Sequence, residues 1–293
     1  MPRSGPADDA FFAVDVGASW IKSALVVDGR AEEVSREPVA RGLDELVRQL
    51  VRLHEGAGAR PWGLCIAGLV DRERGVVRHS ANLGLRDAPL VELLAAEATA
   101  PVVFANDLDA AAVGEAQGGT LGLIQVGTGI AGRHVLDGEL PRSVTGLAGE
   151  IGHLRFREGG LPCRCGRRGC AEAYGGWAGI EDRYREAGRP EPEAVSLLTE
   201  AVSDGWVRGV LDEALEAIGF AASALVAVAD PGMLRVGGGI TAAWDETLLD
   251  AIRAELRARV LPELAAATAV EQASLGDAAP LVGLAALAAR SAR

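Results

Sequence analysis

The chain has 293 residues, 49% of them hydrophobic, and a formal net charge of -12. That is enough apolar material for a large core or for two domains, and the negative balance argues against a nucleic-acid footprint, which needs a basic face to displace counterions from phosphates. The longest mainly apolar stretch, Ala217–Ala229, is shorter than the about 20 residues that cross a bilayer. The start, MPRSGPADDA, has charges where a signal peptide needs an apolar segment, so a cytoplasmic protein without contact to membrane or nucleic acid is expected.

In chain order, FFAVDVG is a short apolar run closed by an acid and a glycine, and SALVVDG resumes it with a hairpin turn at Asp28-Gly29. Leu43 to Glu55 carries Leu43, Leu46, Val47, Leu50, Val51 and Leu53 at helical spacing. Pro61 to Val70 reads as one buried strand, whose Cys65 is most simply a small buried hydrophobe. Asp87 to Ala98 reads as a helix with Pro89 near its first turn, feeding a strand at Pro101 to Ala105. A second α/β pattern starts at Leu121 to Val126, with a hairpin at Asp137-Gly138. Trp177 to Ile218 is largely helical and continues through Phe220 to Ala229; Met233 to Val236 is a strand, and the tail from Ala278 is helical. The two halves are loosely alike, each opening with a hairpin-forming strand that ends in a glycine turn.

Two of these turns have the composition of phosphate loops. Asp15-Val16-Gly17-Ala18-Ser19 and Gly127-Thr128-Gly129 both follow strands, where glycine lets the backbone approach a ligand and a hydroxyl can donate to phosphate oxygens. Neither is a Walker loop, and glycine after a strand, taken singly, is more often only a turn. Gly237-Gly238-Gly239 has the same two readings, a turn or a surface for a nucleotide. Asn106-Asp107 closes the strand PVVFA at a sheet edge, where Asp107 is either a helix cap or a base for a substrate hydroxyl.

The ten residues from Cys163 to Glu172, CRCGRRGCAE, lie just after His153 and offer four zinc ligands: His153, Cys163, Cys165 and Cys170. Thiolate and imidazole are the donors of closed tetrahedral zinc sites, and Gly166 and Gly169 let the loop fold back on itself. Reactive thiols or a disulfide pair are the alternatives. Four protein ligands leave no open position, so such a zinc would position Glu150 and Glu172, which flank the cluster, rather than do chemistry.

With DVGAS, NLGLRD (Asn82–Asp87), FANDLDAAAVGEA, QVGTGIAG, GLAGEIGH, CRCGRRGCAEAY and VGGGI in this order, the chain resembles the ROK family of sugar kinases, repressors and open reading frames over nearly its whole length. The resemblance implies an actin-like (ribonuclease H-like) α/β fold of two domains around a cleft, with magnesium ATP as donor, a structural zinc loop and a homodimer. It implies Asp107 as catalytic base, with Gly68, Asn82, Asn106, Asp107, Glu150, His153 and Glu172 at the sugar. It places Asp15 near magnesium and phosphates, Gly17, Ser19 and Lys22 on the loop below them, and Gly127, Thr128, Gly129, Gly237, Gly238 and Gly239 along the nucleotide. His153 would serve both zinc and sugar, one ring nitrogen to each. The expected domains are 1–105, completed by a C-terminal helix over 278–293, and 106–277.

Several positions depart from the family pattern. Ala18-Ser19-Trp20 stands where a second glycine, a threonine and then lysine or asparagine are common; Ala67 replaces a proline; Leu85 stands where tryptophan is frequent; and Ala131 and Arg133 replace glycines. The expected activity is phosphorylation of a primary hydroxyl of 6-OH type on a hexose. The departures make an amino sugar or a C7-cyclitol the alternative substrate, and a catalytically silent sugar sensor the alternative function. A DNA-binding repressor is disfavoured, because the first strand begins near Phe11 with no room upstream for a helix-turn-helix.

Overall fold

The computed structural model describes residues 10–58, 60–97 and 100–291. The charged first nine residues, on which the reading of no leader rests, lie outside the described part, as do 292 and 293 of the C-terminal segment. Among the described residues no helix is long and apolar enough to cross a membrane.

Five consecutive buried residues make β1 (Phe11–Val16) the middle of its sheet. It turns at Gly17 into β2 (Trp20–Val27), followed by the short β3 (Arg30–Ala31) and β4 (Ser35–Pro38) on the outer side. Helix α1 (Leu43–Gly56) presents Leu46, Val47 and Leu50 to the core at the spacing read from sequence. The chain returns as β5 (Trp62–Ile66), parallel to β1. The single strand expected over 61–70 is broken: it stops at Ala67-Gly68 and resumes as β6 (Leu69–Asp71) in a separate sheet with β7 (Val76–Ser80) and β8 (Leu85–Ala88). Helix α2 (Leu90–Glu97) starts after Pro89, because Asp87 and Ala88 are taken by β8. Then follow β9 (Val103–Asn106), parallel to β5, and α3 (Asp107–Ala116).

The second sheet repeats this wiring. An antiparallel pair, β10 (Leu121–Val126) and β11 (Ile130–Val135), opens it. Four helices intervene: α4 (Glu172–Gly175), α5 (Trp177–Glu186), α6 (Ala194–Ser203) and α7 (Gly205–Ala229). Strand β12 (Met233–Gly237) lies parallel to β10; α8 (Gly239–Arg259), broken at Asp245, and α9 (Pro262–Ala267) lead to β13 (Ala269–Gln272), parallel to β12. The order β11-β10-β12-β13 thus matches β2-β1-β5-β9, one antiparallel neighbour followed by two parallel ones. The looser likeness read from the two hairpins is a likeness of whole sheets.

Helix α10 (Ala279–Ser291) returns to the first sheet. The chain divides into one unit of 1–118, 138–147 and 277–293, and a second of 119–137 and 148–276. Helix α3, expected with the second domain, belongs to the first because it packs backbone to backbone on α10. A Cβ on Gly114 would lie 2.2 Å from the Ala279 carbonyl oxygen, and one on Gly283 would lie 1.7 Å from that of Ala110. Only glycine permits this approach. The core of the second unit is built on α7, whose Val207, Val210, Ala214, Ala217, Ala221 and Leu225 repeat every three or four residues.

Candidate active site and metal centre

In the first unit, the candidate groups gather where β1, β5 and β9 end. Asp15 is only 4% exposed and accepts the Cys65 thiol at 3.5 Å, because the β1–β5 register sets Asp15 beside Cys65. Cys65 is buried as expected, yet it also touches a candidate acid, which its apolar surroundings in sequence did not signal. Burial pushes the Asp15 carboxyl up to about 6; Lys22, whose Nζ lies 3.7 Å from Oδ2, opposes this, and the charge of Asp107 adds to it. Gly17 lies in the β1–β2 turn, where its N–H donates to the Trp20 carbonyl at 3.0 Å, and Ser19 and Trp20 are exposed.

Asp107 begins α3, but the cap is Asn106: its Oδ1 accepts from Leu108 N at 2.9 Å and from Asp109 N at 3.1 Å. Asp107 is not the cap, and neighbours hold its carboxylate. Its Oδ1 accepts from Asn106 Nδ2 at 2.8 Å and from Leu108 N at 2.9 Å. The same Asn106 amide donates to the Gly68 carbonyl at 2.9 Å, so Gly68, Asn106 and Asp107 form one connected group. Asn82 stands exposed in the turn between β7 and β8, with its carbonyl accepting from Arg41 at 2.9 Å.

In the second unit, Gly127-Thr128-Gly129 forms the tight β10–β11 turn, with Gly127 N donating to Gly129 O at 3.0 Å. Glu172, at the start of α4, accepts from Ile130 N at 3.0 Å through Oε2, and its Oε1 lies 3.8 Å from His153 Nδ1. The acid therefore ties the glycine turn to the cysteine loop. Glu150 and His153 bracket one turn of 3-10 helix at Ile151–His153, and His153 Nε2 lies 3.9 Å from Glu150 Oε2. Gly237 closes β12 and Gly238 caps α8, so the three glycines sit at a helix N-terminus, where backbone N–H groups face outward. Arg133 is buried, its guanidinium turned onto the Gly132 carbonyl at 2.8 Å.

His153, Cys163, Cys165 and Cys170 converge as the spacing predicts. Their ligand atoms all lie within 4.8 Å of one another, with Cys163 Sγ 3.7 Å from His153 Nδ1 and Cys165 Sγ 3.7 Å from Cys170 Sγ. Sulfurs about 3.8 Å apart are what a tetrahedron of Zn–S bonds of about 2.3 Å requires. The cysteines are free thiols, not a disulfide pair. Gly166 and Gly169, with φ of +84° and +77°, supply the left-handed turns of the loop. The donor set and its spacing fit zinc.

The ROK family model matches residues 11–291. The chain belongs to the ROK family. A glucokinase of Halalkalibacterium halodurans is 33% identical, covering 94% of each chain. Among solved structures, a ROK hexokinase from Thermus thermophilus is 30% identical with a TM-score of 0.83, covering 97% of this chain and 99% of that one. A ROK glucokinase from Streptomyces griseus, in complex with glucose and AMPPNP, is 27% identical with a TM-score of 0.74, covering 96% and 99%. A xylose repressor of Caldicellulosiruptor bescii is also similar, 24% identical over 94% of this chain and 76% of its own. The duplicated sheet of this ROK protein is the actin-like α/β fold.

Proposed function

We propose that this ROK protein is an ATP-dependent hexose kinase that phosphorylates a primary hydroxyl of 6-OH type, with Asp107 as its base. The observation that carries the reading is the placement of Asp107: a carboxylate next to the end of a parallel strand, oriented by Asn106 Nδ2 and Leu108 N, with Asn106 rather than Asp107 as the helix cap. The similarity to glucokinases over almost the whole chain supports the reaction class.

In the proposed reaction Asp107 takes the proton of the sugar hydroxyl as its oxygen attacks the terminal phosphorus of ATP, the bond to the bridging oxygen breaks, and ADP leaves. Magnesium accompanying ATP supplies neutralisation of the phosphate charge, which a chain of net charge -12 needs. Asp15, Gly17, Ser19 and Lys22 are the residues proposed for the phosphates, and Gly68, Asn82, Asn106, Glu150, His153 and Glu172 those proposed for the sugar; Gly127, Thr128, Gly129, Gly237, Gly238 and Gly239 are proposed for the nucleotide. His153 Nδ1 and the three cysteines would hold a zinc that supplies rigidity to the cysteine loop, and His153 Nε2 would remain for substrate.

Trp20, 51% exposed beside Ser19, and buried Arg133 occupy positions that are usually small or differently polar in the family. For that reason an amino sugar or cyclitol acceptor stands beside glucose. ADP release measured over glucose, mannose, N-acetylated hexosamines, kanosamine and cyclitols tests the reading. Sugar-dependent release with at least one acceptor is the expected result; sugar binding without any release would make the protein a sensor. A cytoplasmic location, where ATP is available, belongs to this reading, and the homodimer expected from the family is checked by light scattering.

A further inference from the structure

Asp277 lies in the turn of 3-10 helix Gly276–Ala278 that leads into α10, and two strands engage it at once. Lys22 on β2 brings Nζ to 2.8 Å from Oδ1, and Arg36 on β4 donates to Oδ2. The same ammonium stands 3.7 Å from Asp15 Oδ2 on β1. Asp15 and Lys22 are direct partners in the β1–β2 register, so the backbone does not hold them apart. A lysine side chain has the length and rotamer freedom to close to about 2.8 Å, the usual charge-assisted distance. It stands farther from Asp15 than that, and Asp277 takes the closer hydrogen bond.

The Lys22–Asp277 pair is 24% and 43% exposed, and pairs in that range add little to folding. Its consequence lies at Asp15, which is buried and whose Oδ1 accepts the Cys65 thiol, so that Oδ2 is the atom facing the ammonium. We infer that Asp277 is a positioning residue for the phosphoryl donor: it holds the Lys22 ammonium beside Asp15 but off it, so that the Asp15 carboxylate stays open to the cation and phosphates of ATP. This rests on the kinase reading above. Without Asp277, Lys22 closes onto Asp15 and masks it.

A double-mutant cycle with a binding readout tests this. Calorimetric titration with magnesium AMPPNP compares the wild type, Asp277→Asn, Lys22→Met, the double variant and Asp277→Glu, each checked for thermal stability. Asp277→Asn is expected to weaken AMPPNP about tenfold, the scale of one charge-assisted hydrogen bond. Asp277→Glu recovers most of that loss. In the Lys22→Met background Asp277→Asn has no further effect beyond about twofold, since Asp277 acts only through the lysine. Additive losses, or a loss that merely follows a fall in thermal stability, would overturn the inference and leave Asp277 as a favourable acid at a helix N-terminus. A wild type that binds no AMPPNP would bring down the kinase reading and this inference together.

Discussion

Glu172 and Gly129 are locked in contact across the second unit. Glu172 Oε2 accepts from the N–H of the residue after Gly129 at 3.0 Å, and a Cβ on Gly129 would lie 2.2 Å from that same oxygen. The glycine turn between β10 and β11 and the acid that heads α4 thus fix each other's position. A methyl group at 129 must push the carboxylate away from both the turn and His153. Gly129→Ala is therefore expected to lower kcat/KM for the sugar about a hundredfold, the usual cost of misplacing a site group by about 1 Å. Steady-state kinetics check this; an unchanged kcat/KM would mean that Glu172 has no part in the site.

The cysteine loop predicts one zinc per chain. Cys170 is 2% exposed, and its replacement by serine removes a thiolate from a closed four-ligand set. Elemental analysis of Cys170→Ser is expected to find the zinc lost. Its melting temperature is expected to fall by more than about 5 °C, at about 2–4 °C per kcal/mol for a chain of this size. Retention of full zinc content would show that the metal is held elsewhere.

Asp15 links stability to pH. Its carboxyl has an ordinary value of 3.8 and is pushed up to about 6, first by burial. The folded state therefore holds a proton that the unfolded state has lost between those values. Stability falls as pH rises through that window, and the full cost, about 3 kcal/mol, is present above it. Asp15→Asn is expected to raise stability at pH 7.5 by about 1–3 kcal/mol and to leave it unchanged at pH 3.5, while abolishing phosphoryl transfer. Urea denaturation at both pH values checks the sign; an equal gain at each would remove the carboxylate charge as the cause.

The contact of α3 with α10 is backbone against backbone, so it tolerates no side chain. Gly283→Ala is expected to destabilise the first unit by about 1–3 kcal/mol, the cost of overpacking, and to do so through a midpoint shift in denaturant. A neutral substitution would show that the helices separate readily.

Much of this was legible in the sequence because glycines and short polar residues mark places where backbone geometry is special. The turns at Gly17 and Gly127–Gly129, the hairpin at Asp28-Gly29 and the convergence of the cysteines with His153 all lie where local spacing put them. What local spacing does not carry is strand register. Cys65 reads as one more apolar residue in GLCIAGLV, and only the pairing of β1 with β5 sets it against Asp15. Asp277 meets Lys22 across 255 residues of chain, a contact without any local signal. Helix α8 did have a signal, with Ile240, Trp244, Leu248, Ile252 and Leu256 four apart, but Asp245 at φ +42° interrupts it and the preceding glycines draw the eye to a turn. Strand β13 buries Val270 alone and leaves no periodicity to read. Residue type leaves Asp107 open as cap or base, because it favours Asp and Asn alike at a cap; the choice of Asn106 over Asp107 depends on where the helix starts, a boundary that sequence alone fixes poorly.

Removal of the acceptor hydroxyl's proton by Asp107 is tested most directly by the single-turnover rate of Asp107→Asn with the best acceptor sugar and saturating ATP. The amide keeps the shape of the side chain and its hydrogen bond from Leu108 N, but it takes no proton. The expected result is sugar affinity within about threefold of the wild type and a phosphoryl-transfer rate lower by about a thousandfold, within the range for loss of a general base. A rate within about tenfold of the wild type would contradict it.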